Sequence, residues 1–307
     1  MKPSLMAPAE TNNRALRFLP KKPFARRLSA LARARGALRA RRFASGARLR
    51  YSPPPMIILL SPAKSLDFDS PAPEVQPTPL RFEPEAERLV RSAARLSKAR
   101  LKQIMPVSDA LIELNYARYR GFHDQPERPA AFAFNGDVYT GLAARTLDEP
   151  ALSFAQDHVR ILSGLYGLLR PFDTIRPYRL EMGTRWAPRH KSLVAYWGDR
   201  IAAAIAEDLS ASSGDTVVNL ASQEYFAAAE KGLARRGIRI VTADFRQQGP
   251  KGPRFVSFDA KRARGMAARF LCENRHSDPE ALKGFDSDGY RFDADASDDS
   301  IWRFVRA

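Results

Sequence analysis

From residue 56 onward, short apolar runs alternate with stretches whose apolar residues recur at helical spacing, and this alternation constrains the fold more than any other feature. A short apolar run bounded by turn residues fits a buried strand, whereas a helix needs ten or more residues to present a face. The pattern predicts strands at Met56–Leu60, 131–134, 159–162, 216–220, 238–243, 254–258, 290–292 and 301–305. Helices are expected at 84–96, 98–104, 108–119, 199–209, 222–236 and 259–275. In 199–209, Ile201, Ile205 and Leu209 fall at i, i+4 and i+8; in 222–236, Tyr225, Phe226, Ala229 and Leu233 share one side. Both should pack on a sheet. The sum is a mixed α/β (α+β) fold in a single domain, with no repeat at a fixed period and no internal boundary.

Charge is distributed unevenly. The chain of 307 residues carries a net +16, but residues 1–55 hold 14 Lys/Arg against the single acid Glu10, leaving 36 basic and 33 acidic residues in the remainder. The strongly basic balance is therefore a property of the first 55 residues, and the rest is close to neutral. That segment is rich in Ala, Arg and Pro, lacks a sustained amphipathic period, and ends in Ser52-Pro53-Pro54-Pro55; a disordered basic extension is expected. Three origins compete: an arm adding phosphate affinity, an organelle transit peptide, and translation from a start codon upstream of the true one. The last is favoured, because Met56 stands at the head of the first buried run. The folded domain is expected at 56–307.

Several function classes lack support. The longest early apolar run, Met56–Leu60, is far short of the roughly 20 residues that span a bilayer, so no membrane association is expected. A lone cysteine, Cys272, excludes an intrachain disulfide and fits a reducing, cytoplasmic setting. His123, His158, His190 and His276 are scattered without ligand spacing, so neither a metal nor a cofactor is expected. There is no GxSxG, Walker A or GxGxxG motif. The acidic stretch Asp286-Ser287-Asp288-Gly289 lacks the closing glutamate of a calcium loop and reads as a turn.

Three segments could contact phosphate. Residues 98–111 look like a helix-hairpin-helix, with Ser108 at the N-cap of the second helix and Lys102 close by; such a turn can dock a DNA phosphate on backbone N–H groups without reading bases. The plain alternative is an ordinary helical turn capped by Ser108. Residues 259–275 gather Ala263, Met266, Ala267, Phe270 and Leu271 on one side and Lys261, Arg262, Arg264, Arg269 and Arg275 on the other, a basic face that could meet phosphates or simply be solvated. Residues 163–183 interleave Arg170, Arg176 and Arg179 with Tyr166 and Tyr178, a composition suited to a nucleic-acid cleft or a phosphate site, or to a packed turn.

Taken together, residues 56–307 resemble the bacterial YaaA peroxide-stress-resistance family. The resemblance rests on blocks such as Leu60-Ser61-Pro62-Ala63-Lys64-Ser65-Leu66-Asp67, Gly136-Asp137-Val138-Tyr139-Thr140-Gly141-Leu142, Asn219-Leu220-Ala221-Ser222-Gln223-Glu224-Tyr225-Phe226 and Ala260-Lys261-Arg262-Ala263-Arg264-Gly265, with 163–183, 196–199 and Gly284-Phe285 between and after them. Residues 1–55 have no counterpart in it. The resemblance implies a fold particular to the family, binding of duplex and branched DNA through a positively charged cleft and a helix-hairpin-helix, and a role against peroxide stress and DNA damage. It implies no catalysis and no cofactor. On this reading DNA is the partner, with no obligate protein partner evident, and Lys64, Lys102, Ser108, Arg170, Arg176, Arg179, Lys261, Arg262 and Arg264 are the candidate DNA-binding residues. The rival is an enzyme acting on a nucleotide or nucleic acid, because 61–67, 136–139 and 219–225 concentrate more polar groups than packing requires; Lys64, Asp137, Glu181 and Glu224 would be its acid/base groups. A small-molecule binding protein would use the same cleft without turnover.

Overall fold

The run Met56–Leu60 (β1) is buried at every position. Successive strand side chains point to opposite faces, so complete burial requires cover on both sides, and this requirement organises the fold. A computed structural model of the protein describes residues 56–211 and 214–307; the extension expected at 1–55 lies outside the described residues. After β1 come β2 (Ser65–Leu66), β3 (Arg128–Pro129), β4 (Phe134–Asn135), β5 (Val159–Ser163), β6 (Gly167–Leu169), β7 (Thr174–Ile175), β8 (Thr216–Asn219), β9 (Arg239–Gln247), β10 (Tyr290–Asp293) and β11 (Ile301–Arg306).

Seven strands form one sheet in the order β10-β11-β9-β8-β1-β5-β6. The five central strands are parallel, with Ile57 opposite Val217 and Ile58 opposite Val159, while β10 and β6 close the edges antiparallel. Two groups of helices touch β1. The Arg200–Ser210 helix packs on β1 and on Glu230–Arg235; the Ser257–Glu273 helix packs on β1, Asp137–Leu142 and Glu149–His158. A smaller core of Ala93, Leu101, Met105, Ile112 and Tyr119, with Trp186 against it, joins the helices Glu83–Ala94, Lys98–Ile104 and Asp109–Arg120.

The strand order places a site. From β1 the chain crosses to β5 on one side, then returns to β8 on the other side and continues outward to β9. Between β1 and β8 the connections diverge, which leaves an open crevice beyond the carboxyl ends of those two strands.

Most expected elements are present, and three expectations need correction. Residues 131–134 are not a strand: Ala130–Ala133 is a buried helical turn and pairing begins only at Phe134. Alanine favours helix, and periodicity cannot separate a short buried strand from a short buried helix. Residues 254–258 also form no strand; Arg254 bridges back to Gln247 and the helix starts at Ser257, with Phe255 and Phe258 left exposed. The helix expected at 222–236 is two, Gln223–Phe226 and Glu230–Arg235, and the second lies so close to Arg200–Ser210 that a Cβ at Gly232 would come within 2.4 Å of Ala202. The helices Asp137–Leu142, Glu149–His158 and Leu193–Trp197 and the strand β6 escaped the periodicity, being too short or too weakly amphipathic. Among the described residues no helix is long and apolar enough to cross a membrane.

Candidate functional site

The crevice beyond β1 and β8 holds a cavity of about 420 Å³, within the range of small-ligand sites. Its walls come from the three polar segments that the sequence singles out. Ser61, Lys64 and Ser65 follow β1, Asn135 and Asp137 lie around the Gly136 turn, and Ser222, Glu224 and Tyr225 follow β8. Lys261 and Arg264 of the Ser257–Glu273 helix close the remaining side.

Hydrogen bonds and close packing fix these segments. The Ser222 backbone N–H donates to Ser61 Oγ at 2.8 Å, joining the ends of β1 and β8, and the Tyr139 hydroxyl donates to the Ser61 carbonyl at 3.1 Å. The Ala221 N–H donates to Asn219 Oδ1 at 3.0 Å, which turns the chain sharply at the end of β8. Gly141 and Gly265 let Asp137–Leu142 and Ser257–Glu273 meet backbone to backbone. A Cβ on Gly265 would lie 1.8 Å from the Val138 carbonyl oxygen, and one on Gly141 would lie 2.1 Å from that of Arg262. This close approach brings Lys261 and Arg264 to the same cavity as Asp137.

Burial raises the pKa of the Tyr139, Tyr178 and Tyr225 hydroxyls, so these groups stay neutral hydrogen-bonding partners at any physiological pH. Of the four candidate acid/base residues, Glu181 is held between Lys64 at 3.5 Å and Arg179 at 3.0 Å, and Glu224 accepts from the Gly183 N–H at 3.1 Å. Asp137 lines the cavity with no ion pair among the described residues.

The nine residues expected to bind DNA separate into groups. Lys64, Lys261 and Arg264 converge on the cavity. Lys261 and Arg262 are exposed, whereas Arg264, expected on the same open face, is largely sunk: burial lowers its pKa and its Nε has no hydrogen-bond partner. Arg179 lies beside Lys64 in a second depression. That depression, about 260 Å³, extends from Lys64 and Glu224 to Pro106 and Val107 in the turn between Lys98–Ile104 and Asp109–Arg120. Arg100 and Arg185, which no sequence signal marked, line its continuation beyond Pro106.

The other candidates have structural partners. Ser108 is the N-cap of Asp109–Arg120 but makes no capping bond through its side chain, and Lys102 is ion-paired with Asp109 across the turn. Arg170 bonds the buried Asp173 at 3.0 Å and the Pro79 carbonyl at 3.1 Å. Arg176 pairs with Glu127 and faces the Phe122 ring. The tyrosines interleaved with these arginines are core: Tyr166 and Tyr178 are 3% and 6% exposed and so cannot stack on a base.

Residues 56–296 match the family described as peroxide stress protein YaaA. A UPF0246 protein of Rhizorhabdus wittichii is 59% identical over 252 residues, covering 82% of this chain and 99% of the relative. UPF0246 proteins of Burkholderia cenocepacia and Caulobacter vibrioides are 49% and 45% identical over 261 and 254 residues, each again covering 82% of this chain, and 98% and 99% of themselves. The matched region contains every segment that lines the cavity, and the chain belongs to the peroxide stress protein YaaA family.

Proposed function

We propose that the protein binds DNA, duplex and branched, with little dependence on sequence, and that this binding is its contribution to peroxide resistance. The observation that carries the reading is the groove itself. Lys64 belongs both to the cavity at the strand ends and to the depression that reaches the helical turn at Pro106, so Lys261, Arg264, Lys64, Arg179, Arg185 and Arg100 follow one path. The six cations outnumber the acids Asp137, Glu181 and Glu224 along the path, and such a surplus beside two helices joined by a turn suits a phosphate backbone and offers little base readout. The sulfur chemistry agrees with a binding role. Cys272 is fully buried and its pKa is pushed up to about 12 by that burial, so it offers no thiolate to consume peroxide.

A second reading, turnover of a nucleotide, draws on Asp137, the one uncommitted carboxylate among the four candidates. Incubating the full-length chain with labelled duplex, four-way junction and free nucleotides, with and without divalent metal, separates the two. Retention of unrelated DNA sequences with equal affinity and a steep salt dependence supports DNA binding. Conversion of any substrate supports the enzyme, and retention of neither DNA removes the leading reading.

A further inference from the structure

Among the described residues, Leu114, Phe255, Phe258 and Ile301 are the large hydrophobic side chains left exposed, and two of them stand three residues apart at the start of the Ser257–Glu273 helix, whose next turn lines the cavity; the Phe255 ring has the Arg246 guanidinium over it at 5.6 Å. Phe255 and Phe258 are 49% and 61% exposed, although the apolar run they belong to would suit a buried strand. Phe258 precedes Lys261 by one helical turn, so the ring and the ammonium share one face of the helix, at the cavity's edge. Just before them the chain makes a tight loop, in which the Gly249 and Gly252 N–H groups each donate to the other's carbonyl at 3.2 and 3.0 Å and Arg254 bridges to Gln247. The loop presents Lys251 and Arg254, both exposed, next to Phe255. Arg262 adds a further exposed cation, and the local acid Asp259 is occupied by Arg306 at 3.1 Å.

Exposed aromatic rings set among the exposed cations Lys251, Arg254, Lys261 and Arg262 have the composition of a nucleic-acid surface, where rings stack on bases or wedge between base steps while cations take the phosphates. The adjoining cavity is far too small for a duplex, yet about 420 Å³ accommodates one nucleotide. Its Asn135 and Ser222 side chains offer hydrogen bonds to a base or sugar, as do the carboxylates of Asp137 and Glu224, and Lys261 and Arg264 offer charge to a phosphate.

We infer that the strand-end cavity receives a single unpaired nucleotide of bound DNA and that Phe255 and Phe258 form the wedge holding the strand open beside it. This rests on the DNA-binding reading and specifies what that site takes. A nucleotide already unpaired enters without the unstacking cost that a paired one incurs, so DNA with one mismatched or bulged nucleotide binds more tightly than the same fully paired duplex.

The test uses the full-length chain and two hairpin DNAs, one fully paired and one with a single unpaired 2-aminopurine, each with a dye at the distal end. Anisotropy of the dye should show about tenfold tighter binding of the second DNA, and 2-aminopurine emission should rise on saturation. Replacing Phe255 and Phe258 by Ala on the exposed surface should bring the affinity ratio close to one, whereas Ile301→Ala, an exposed apolar change away from this patch, should keep it. Ser65→Trp, which adds bulk at an exposed position of the cavity wall, should abolish the emission rise; its thermal melt reports whether it folds. Equal affinities for both DNAs with unchanged emission at saturation would overturn the inference and leave the DNA reading standing. Absence of any anisotropy change would remove both.

Discussion

At the scale of single residues, the site depends on two glycines, Gly141 and Gly265, at which two helices meet backbone to backbone. Gly265→Ala should destabilise the protein by about 3 kcal/mol, because the new Cβ would lie 1.8 Å from a backbone oxygen that can move only if two helices separate. Urea unfolding checks this, and a change of a few tenths would show the helices to be free to shift. His158 has a separate, structural consequence. Its Nδ1–H donates to the Phe154 carbonyl at 3.0 Å, its ring stacks on Phe154, and the buried Nε2 has no partner. A second ring proton would find no acceptor there, and burial lowers the pKa to about 4. The unfolded chain has the ordinary value of about 6.5, so between these values the unfolded state binds the proton and the folded state does not. Stability should therefore be full above about pH 6.5 and decline as the pH falls toward 4, and His158→Gln should flatten that slope in unfolding curves measured across the window.

Among the elements, the Ser257–Glu273 helix joins the core to the proposed DNA-binding surface. Its periodicity correctly predicts the buried side, since Ala263, Ala267 and Leu271 are all 0% exposed. The opposite side is less uniform than the pattern implies, because Arg264 turns into the protein while Lys261 and Arg262 remain outside. Replacing Lys261 and Arg262 together by Ala should weaken binding about equally for unrelated DNA sequences. It should flatten the plot of log affinity against log salt by up to about 0.9 for each phosphate that is no longer neutralised, with little change in Tm. Arg264→Ala should instead destabilise the fold by about 1 kcal/mol, since a largely buried side chain is removed. If all three substitutions leave the salt slope intact, the phosphate path lies elsewhere, and Arg179, Arg185 and Arg100 become the next to replace. The helices on either side of the Pro106 turn were legible in outline because each carries strong local signals. Lys98–Ile104 is capped by Ser97, whose Oγ accepts the Arg100 N–H at 3.2 Å, and Asp109–Arg120 follows a proline.

For the whole molecule, the charge asymmetry makes a prediction of its own. Deleting residues 1–55 should leave thermal stability unchanged, because the segment has no apolar periodicity with which to pack, yet it should weaken nonspecific DNA affinity, because 14 of the 50 basic residues go with it. A large fall in Tm of the truncated protein would contradict the first half, and an unchanged affinity the second. What the sequence determined by itself are features carried by neighbours along the chain. These are the buried strands β1, β5 and β8, the half-buried β9, the amphipathic helices, the uneven charge, and the three polar segments that follow or join them. Tertiary structure alone decided which of these meet. The order of strands puts the ends of β1 and β8 side by side, and the close approach at Gly141 and Gly265 brings in Lys261 from a helix some 120 residues away from Asp137 in sequence. It also drew Arg264 partly inward, buried Tyr166 and Tyr178 and exposed Phe255 and Phe258, the last against the usual preference of phenylalanine. Periodicity records only which face of an element is apolar; what covers that face, and what is left open beside a cleft, depends on chain crossings that lie far apart in sequence.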